Sequence, residues 1–182
     1  FNAVRIGADG IVEAEAGVRL NALIKQLVSA GLAGLEELAG IPGTVGGALV
    51  MNAGAGSQEF GQVVEEVEML SGETFLWRHA ASLTFGYRQS GLEPGEIVTA
   101  VRLRLAGGDP ELLNASYAER LQHRRQAHAV GGQSAGSVFK NPPGIPAGRL
   151  IDEAGLKGTR IGDAMISERH GNFTVNVGRA RA

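Results

Sequence analysis

Cysteine is absent from the 182 residues, which excludes a disulfide framework, thiolate catalysis and cysteine-ligated zinc or iron–sulfur centres. A marked excess of charge of either sign is also lacking. The 17 Lys and Arg residues nearly balance 19 Asp and Glu, leaving a formal net charge of -2. No global field therefore draws in nucleic acid or an anionic membrane, and an anionic ligand must be held by local groups. No apolar run approaches the roughly 20 residues that cross a bilayer. The amino end FNAVRIGADG lacks the basic and apolar regions of a secretory signal. A soluble, cytoplasmic protein without membrane or nucleic-acid partners is the expectation. His79, His123, His128 and His170 show no metal-ligand spacing, so they read as exposed or core-satisfied and no metal site is expected. The chain opens at Phe1 directly in a strand-like stretch, as a fragment of a longer protein would.

Hydrophobic residues, by contrast, make up 43% of the chain, enough for one large or two small domains with buried cores. Ala3 to Glu15 reads as a hairpin turning at Asp9-Gly10. Leu20, Leu23, Ile24, Leu27 and Val28 fall on one face of a helix that Gly31 ends. GLEEL, Gly34 to Leu38, suits one short turn. Strands are predicted over Val63–Leu70, Thr74–Trp77 and Glu96–Leu105, together an antiparallel sheet with helices on one face. Asp109 can cap a helix that has Pro110 in its first turn and Leu113, Tyr117 and Leu121 on a common face. That helix runs into the basic stretch HRRQAH, read as a solvated end because it lacks interleaved aromatics. GGQSAG is a loop, SVFKN a strand, GRLIDEA a short helix closed by Gly155, and Asn172–Val177 a last strand. The fold class is α+β, with two compact units, 1–108 and 109–182.

Three motifs could carry chemistry. GIPGTVGGALVMNAGAG, Gly40 to Gly56, exposes a long run of backbone. It matches neither a P-loop, having no Lys-Ser or Lys-Thr, nor a dinucleotide fingerprint. It is either a tight structural loop or a place where something flat approaches the main chain. In GSVFKNP, an extended strand would point Ser137, Phe139 and Asn141 one way and Val138 and Lys140 the other. That gives either a pocket wall with a hydroxyl and an amide, or an ordinary edge strand. In FGYRQSG, Arg88 could grip a carboxylate bidentately, or pack over Tyr87 on the surface.

AGIPGTVGGALVMNAGA, FGYRQS, SAGSVFKNP, AGLKG and ISERHGNFTVN, in this order, resemble the UDP-N-acetylenolpyruvoylglucosamine reductase family, which completes UDP-N-acetylmuramic acid for peptidoglycan. The resemblance implies an antiparallel-sheet FAD-binding domain of the vanillyl-alcohol-oxidase/PCMH type, followed by a small α+β substrate-binding domain. It implies that Gly40, Ile41, Pro42, Gly43, Thr44, Gly46, Gly47, Ala48, Asn52, Ala53 and Gly54 wrap the flavin end of FAD. Ser137 matches the proton donor and Arg88 the arginine on the substrate carboxylate. Tyr87, Lys140 and Asn141 are expected to contact substrate. NADPH and UDP-N-acetylglucosamine enolpyruvate are the implied reactants, a monomer the implied state, and cell-wall biogenesis, with cell shape and division, the implied process. The family's amino-terminal glycine-rich stretch and carboxyl-terminal catalytic glutamate have no counterpart here, and no tyrosine-bearing insertion separates FGYRQS from GSVFKNP. A truncated member of the family's shorter form is expected. A flavin oxidoreductase acting on another substrate class, or a non-catalytic nucleotide-sugar-binding fragment, are the rival readings.

Overall fold

The computed structural model describes residues 1–7, 9–127 and 133–181; His128 and the first two glycines of GGQSAG lie outside them. The chain divides into two units, Phe1–Arg124 and Arg125–Ala182.

In the first unit the hairpin forms as its turn chemistry demands. Strand β1 (Val4–Ile6) pairs antiparallel with β2 (Ile11–Glu15), and Gly10 supplies the positive φ of +79° at the turn. Helix α1 (Leu20–Ser29) buries Leu20, Leu23, Ile24, Leu27 and Val28, the same five residues whose spacing marks one helical face. Gly31 follows at φ +73°. A single turn of helix at Glu36–Leu38 precedes α2 (Val45–Val50), which Thr44 caps by accepting the Gly47 amide. Then come β3 (Val64–Ser71), β4 (Thr74–His79) and β5 (Ile97–Arg104).

These strands form one sheet in the order β1-β2-β5-β3-β4, every pair antiparallel. Alternation along the strands sorts its two faces. Val12, Ala14, Val67, Val101 and Leu103 join α1 in the core, each 0% exposed on the sheet side. The opposite face carries Glu13, Arg102 and Glu66 as direct cross-strand neighbours. Arg102 bonds both carboxylates, Glu66 at 2.7 Å and Glu13 at 3.2 Å, and its guanidinium stacks 3.8 Å over the Trp77 ring. Helix α3 (Pro110–Ala127) begins as expected, with the Glu111 amide donating to Asp109 Oδ1 at 2.8 Å.

The second unit holds β6 (Gln133–Ser137), α4 (Ala147–Glu153), β7 (Arg160–Ile161), β8 (Ala164–Ile166) and β9 (Phe173–Asn176). Its four-stranded antiparallel sheet runs β6-β9-β8-β7. Phe173 and Val175 form the small core with Met165.

Two expectations need correction. The boundary lies at Arg124/Arg125 rather than 108/109, because Leu113 and Tyr117 of α3 pack on the first unit's core. The strand read as SVFKN is instead QSAGS, ending at Ser137. Asn172 on the neighbouring chain segment explains the early end. Its main-chain oxygen accepts the Val138 amide, and its side chain exchanges two bonds with Phe139, 2.9 Å to the amide and 2.8 Å to the carbonyl. A side chain thus occupies the place of the next ladder bonds, and residues 138–141 leave the sheet.

Candidate active site

The glycine run of the first unit is knitted to the chain before it. Gly40 donates to Asn21 Oδ1 at 2.5 Å while Asn21 Nδ2 donates to the Ile41 carbonyl at 2.8 Å. The Gly43 carbonyl accepts from Leu20, Val45 donates to Val18, and Gly46 donates to Ala16. The glycines therefore divide into two kinds. A Cβ on Gly46 would lie 2.9 Å from the Ala16 Cβ, so this glycine lets α2 pack against the residue that follows β2. A Cβ on Gly43 would meet nothing, and one on Gly47 only Thr44 Oγ1 at 3.6 Å. Pro42, Gly43, Thr44 and Gly47 are exposed, followed by Val50 and Met51 at 45% and 46%. The outer face of α2 is thus a nearly smooth, apolar strip.

Not every predicted contact residue lies on it. Gly40, Ile41, Gly46 and Gly54 are half-buried. Ala48, Asn52 and Ala53 face inward, with Asn52 0% exposed. Ala48 and Ala53 belong to the hydrophobic core, and the Asn52 side chain spends its hydrogen-bonding groups on the protein. The side chains of these three residues thus shape the strip from beneath, and only their main chain is left to meet a cofactor.

Arg88 sits at the tip of the turn formed by FGYRQS. Gly86 and Gln89 exchange two backbone bonds, 3.0 and 3.1 Å, with Tyr87 and Arg88 between them. Arg88 has φ +59°, a left-handed conformation that costs a non-glycine residue about 1–3 kcal/mol. Such strain persists only where surrounding contacts impose it, and it is common where function needs a side chain aimed. The guanidinium lies 5.0 Å from the Tyr87 ring centroid, the packing expected for a surface arginine, while Tyr87 itself is 49% exposed.

Sequence reasoning missed Arg124, in the stretch read as a solvated helix end. Its stem crosses Gly40, where an added Cβ would come 2.7 Å from Cδ. Burial, and secondarily the positive charge of Arg88, push the Arg124 guanidinium below its ordinary value. Two cations thus share the neighbourhood of the glycine run, an arrangement that favours an anion between them. The signal was available in principle: Leu113, Tyr117 and Leu121 point one side of α3 inward, and Arg124 follows Leu121 by three residues on that side.

In the second unit Ser137 and Asn141 line a cleft of about 320 Å³ with Lys157, Arg169, His170 and Asn172. Ser137 is exposed at the end of β6. Asn141 Oδ1 accepts the Ala147 amide at 2.9 Å, which ties the cleft wall to the start of α4. His170 Nδ1 accepts the Asn172 amide at 3.3 Å, and its ring stands edge-on to Phe173, 4.5 Å between centroids. Lys157 pairs with Asp152 at 2.5 Å. Lys140 is exposed and is not part of the cleft lining. The alternation argument for Ser137 and Asn141 fails, since the strand ends between them, yet both reach one cleft. Lys157, Arg169 and His170 were not assigned roles, although AGLKG and ISERHGNFTVN carry them.

Residues 1–74 match the family model of an FAD binding domain, and residues 126–182 that of the UDP-N-acetylenolpyruvoylglucosamine reductase C-terminal domain. A UDP-N-acetylenolpyruvoylglucosamine reductase of Syntrophotalea carbinolica is 49% identical over 175 residues, covering 96% of this chain and 58% of the relative. One of Thermus thermophilus is 50% identical over 167 residues, covering 92% of this chain and 62% of the relative. The crystal structure of a UDP-N-acetylenolpyruvylglucosamine reductase from Thermus caldophilus superposes with a TM-score of 0.85 at 49% identity, covering 93% of this chain and 63% of that one. The chain belongs to the UDP-N-acetylenolpyruvoylglucosamine reductase family. It spans about six tenths of the length of the reductases it matches. The reductase C-terminal domain model starts at residue 126, one residue after the second unit begins. The α+β fold of FAD-binding and reductase domains holds for this chain.

Proposed function

We propose that the protein of which this chain is part is an NADPH-dependent flavoenzyme that reduces UDP-N-acetylglucosamine enolpyruvate to UDP-N-acetylmuramate, a cytoplasmic, monomeric catalyst of peptidoglycan synthesis. The observation that carries the reading is the smooth outer face of α2, where Gly43 and Gly47 leave open space, beside a turn that holds Arg88 in a strained conformation. That strip fits a planar ring system: at Gly43 and Gly47 no side chain stands on it, and the main chain can be approached closely there. Pro42, Gly43, Thr44 and Gly47 would hold the ring of FAD, with the inward residues fixing the strip's shape. Bound there, FAD would supply the hydride chemistry that links NADPH to the enol ether double bond.

This chain's own residues would do the rest. Arg88 binds the substrate carboxylate, and its fixed charge gains strength as electron density moves toward that group in the transition state. Arg124 adds positive potential in the same unit. Ser137 gives up the proton that completes the lactyl carbon; a serine hydroxyl is a weak acid, so its value lies in placement. Asn141 and Lys157, in the Ser137 cleft, offer an amide and an ammonium to the nucleotide sugar, and the exposed side chains of Tyr87 in the first unit and Lys140 in the second are further substrate contacts.

The test uses the full-length protein loaded with FAD. NADPH should bleach the flavin absorbance, and the enolpyruvate substrate should restore it. Ser137→Ala should leave bleaching within about twofold and slow restoration by roughly 100-fold or more. Equal loss in both steps would remove Ser137 from the proton-donor role. Restoration by an unrelated hydroxy acid or alcohol, with none by the nucleotide sugar, would shift the reading to another class of flavin oxidoreductase.

A further inference from the structure

Arg88 occupies a backbone conformation that its own residue type disfavours, so something outside the turn must impose it. Two buried polar side chains do. Asn52 is itself left-handed at φ +39° and fully enclosed. Its Nδ2 donates to the Gly86 carbonyl at 3.1 Å and to Glu59 Oε2 at 2.7 Å, while its Oδ1 accepts the Gly61 amide at 2.9 Å. Both amide hydrogens and the oxygen are thus engaged. At the other end of the turn Ser90, 3% exposed, donates its hydroxyl to the Val50 carbonyl at 3.1 Å. The turn is therefore pinned at Gly86 and at Ser90, on either side of Arg88, and both pins attach to the end of α2. A third constraint lies beneath: a Cβ on Gly61 would sit 2.5 Å from the Phe85 ring and 3.0 Å from Asn52 Oδ1.

We propose that Asn52 is a positioning residue: with Ser90 it clamps the Phe85–Ser90 turn to the end of the glycine helix and so aims the Arg88 guanidinium beside the strip. An amide suits the task better than any apolar residue of its size. It satisfies a turn carbonyl and a neighbouring amide at once, and asparagine tolerates the left-handed backbone. Through its side chain, Asn52 sets the geometry of the substrate-binding arginine. This rests on the functional reading above.

Asn52→Gly in the full-length protein keeps the backbone conformation available and deletes the clamp. In the FAD-loaded variant, flavin reduction by NADPH should stay within about twofold, while reoxidation by the enolpyruvate substrate slows by about 10- to 100-fold, as expected for a misaimed binding group. In the apoprotein, amide hydrogen exchange over residues 84–91 should rise by about tenfold or more, with α1 unchanged. Ser90→Ala should move both readouts in the same direction, and it decides the matter where Asn52→Gly does not fold. Unchanged exchange over 84–91 in a folded variant overturns the proposal, as does equal slowing of the two half-reactions. Failure of the wild-type protein to be reoxidised by that substrate would instead overturn the functional reading, and the exchange measurement would still judge the clamp.

Discussion

Gly46 and Gly47 are adjacent and chemically identical, yet the structure gives them opposite tasks. Gly46 is pressed on Ala16, so Gly46→Ala should destabilise the fold by about 1–3 kcal/mol through overpacking. Gly47 has open space, so Gly47→Ala should leave the fold as stable or raise it by up to about 1 kcal/mol through helix propensity. It should instead weaken FAD binding to the full-length protein, since the added methyl stands on the strip. Chemical denaturation paired with flavin titration separates the two. A Gly47→Ala protein that binds FAD like wild type would show that the ring does not lie there. The glycine content of the run was legible from residues alone. Which glycine faces the core was not, because that depends on Ala16, about 30 positions away in sequence.

Elements were read best where a period and a terminator agree. The β1–β2 hairpin has Asp9-Gly10, and α1 has its five-residue stripe closed by Gly31. Helix α3 has Asp109 and Pro110 at its start. Asp109→Ala removes the acceptor for the Glu111 amide and should cost about 1 kcal/mol, measurable as a shift in denaturation midpoint. No shift would mean that water replaces the cap. Strand β6 was misplaced for a definite reason. SVFKN has good strand residues, but Asn172 takes the bonds of Val138 and Phe139 from outside the ladder, and no local pattern announces a competitor 33 residues away.

Across the whole chain, acid stability should follow three carboxylates whose values are depressed. Glu15 is held down chiefly by the Ala3 amide, Glu96 by the Glu93 amide and then Arg78, and Asp163 by the Arg179 amide and then Arg160. A carboxylate with a lowered folded-state value adds stability that is present above its unfolded value and fades as pH falls through the folded one. The melting temperature should therefore hold from neutrality to about pH 4–5 and decline below that. Glu96→Gln should show a shallower decline, and a midpoint that rises on acidification would contradict the assignment. Glu15 and Glu96 belong to the first unit and Asp163 to the second, so calorimetry should register the acid effect in both.

The amino-acid sequence alone determined the α+β class, the hairpin, the amphipathic α1, the cap of α3, and the family, because these rest on local periods, turn residues and contiguous motifs. Tertiary structure decided that the first unit extends through Arg124, that Asn52 faces inward, that Arg88 is strained, and that Ser137 shares a cleft with Lys157, Arg169 and His170. Each of those depends on which distant group a side chain or amide finds as its partner, and hydrogen bonding and close packing choose that partner only once the chain has folded.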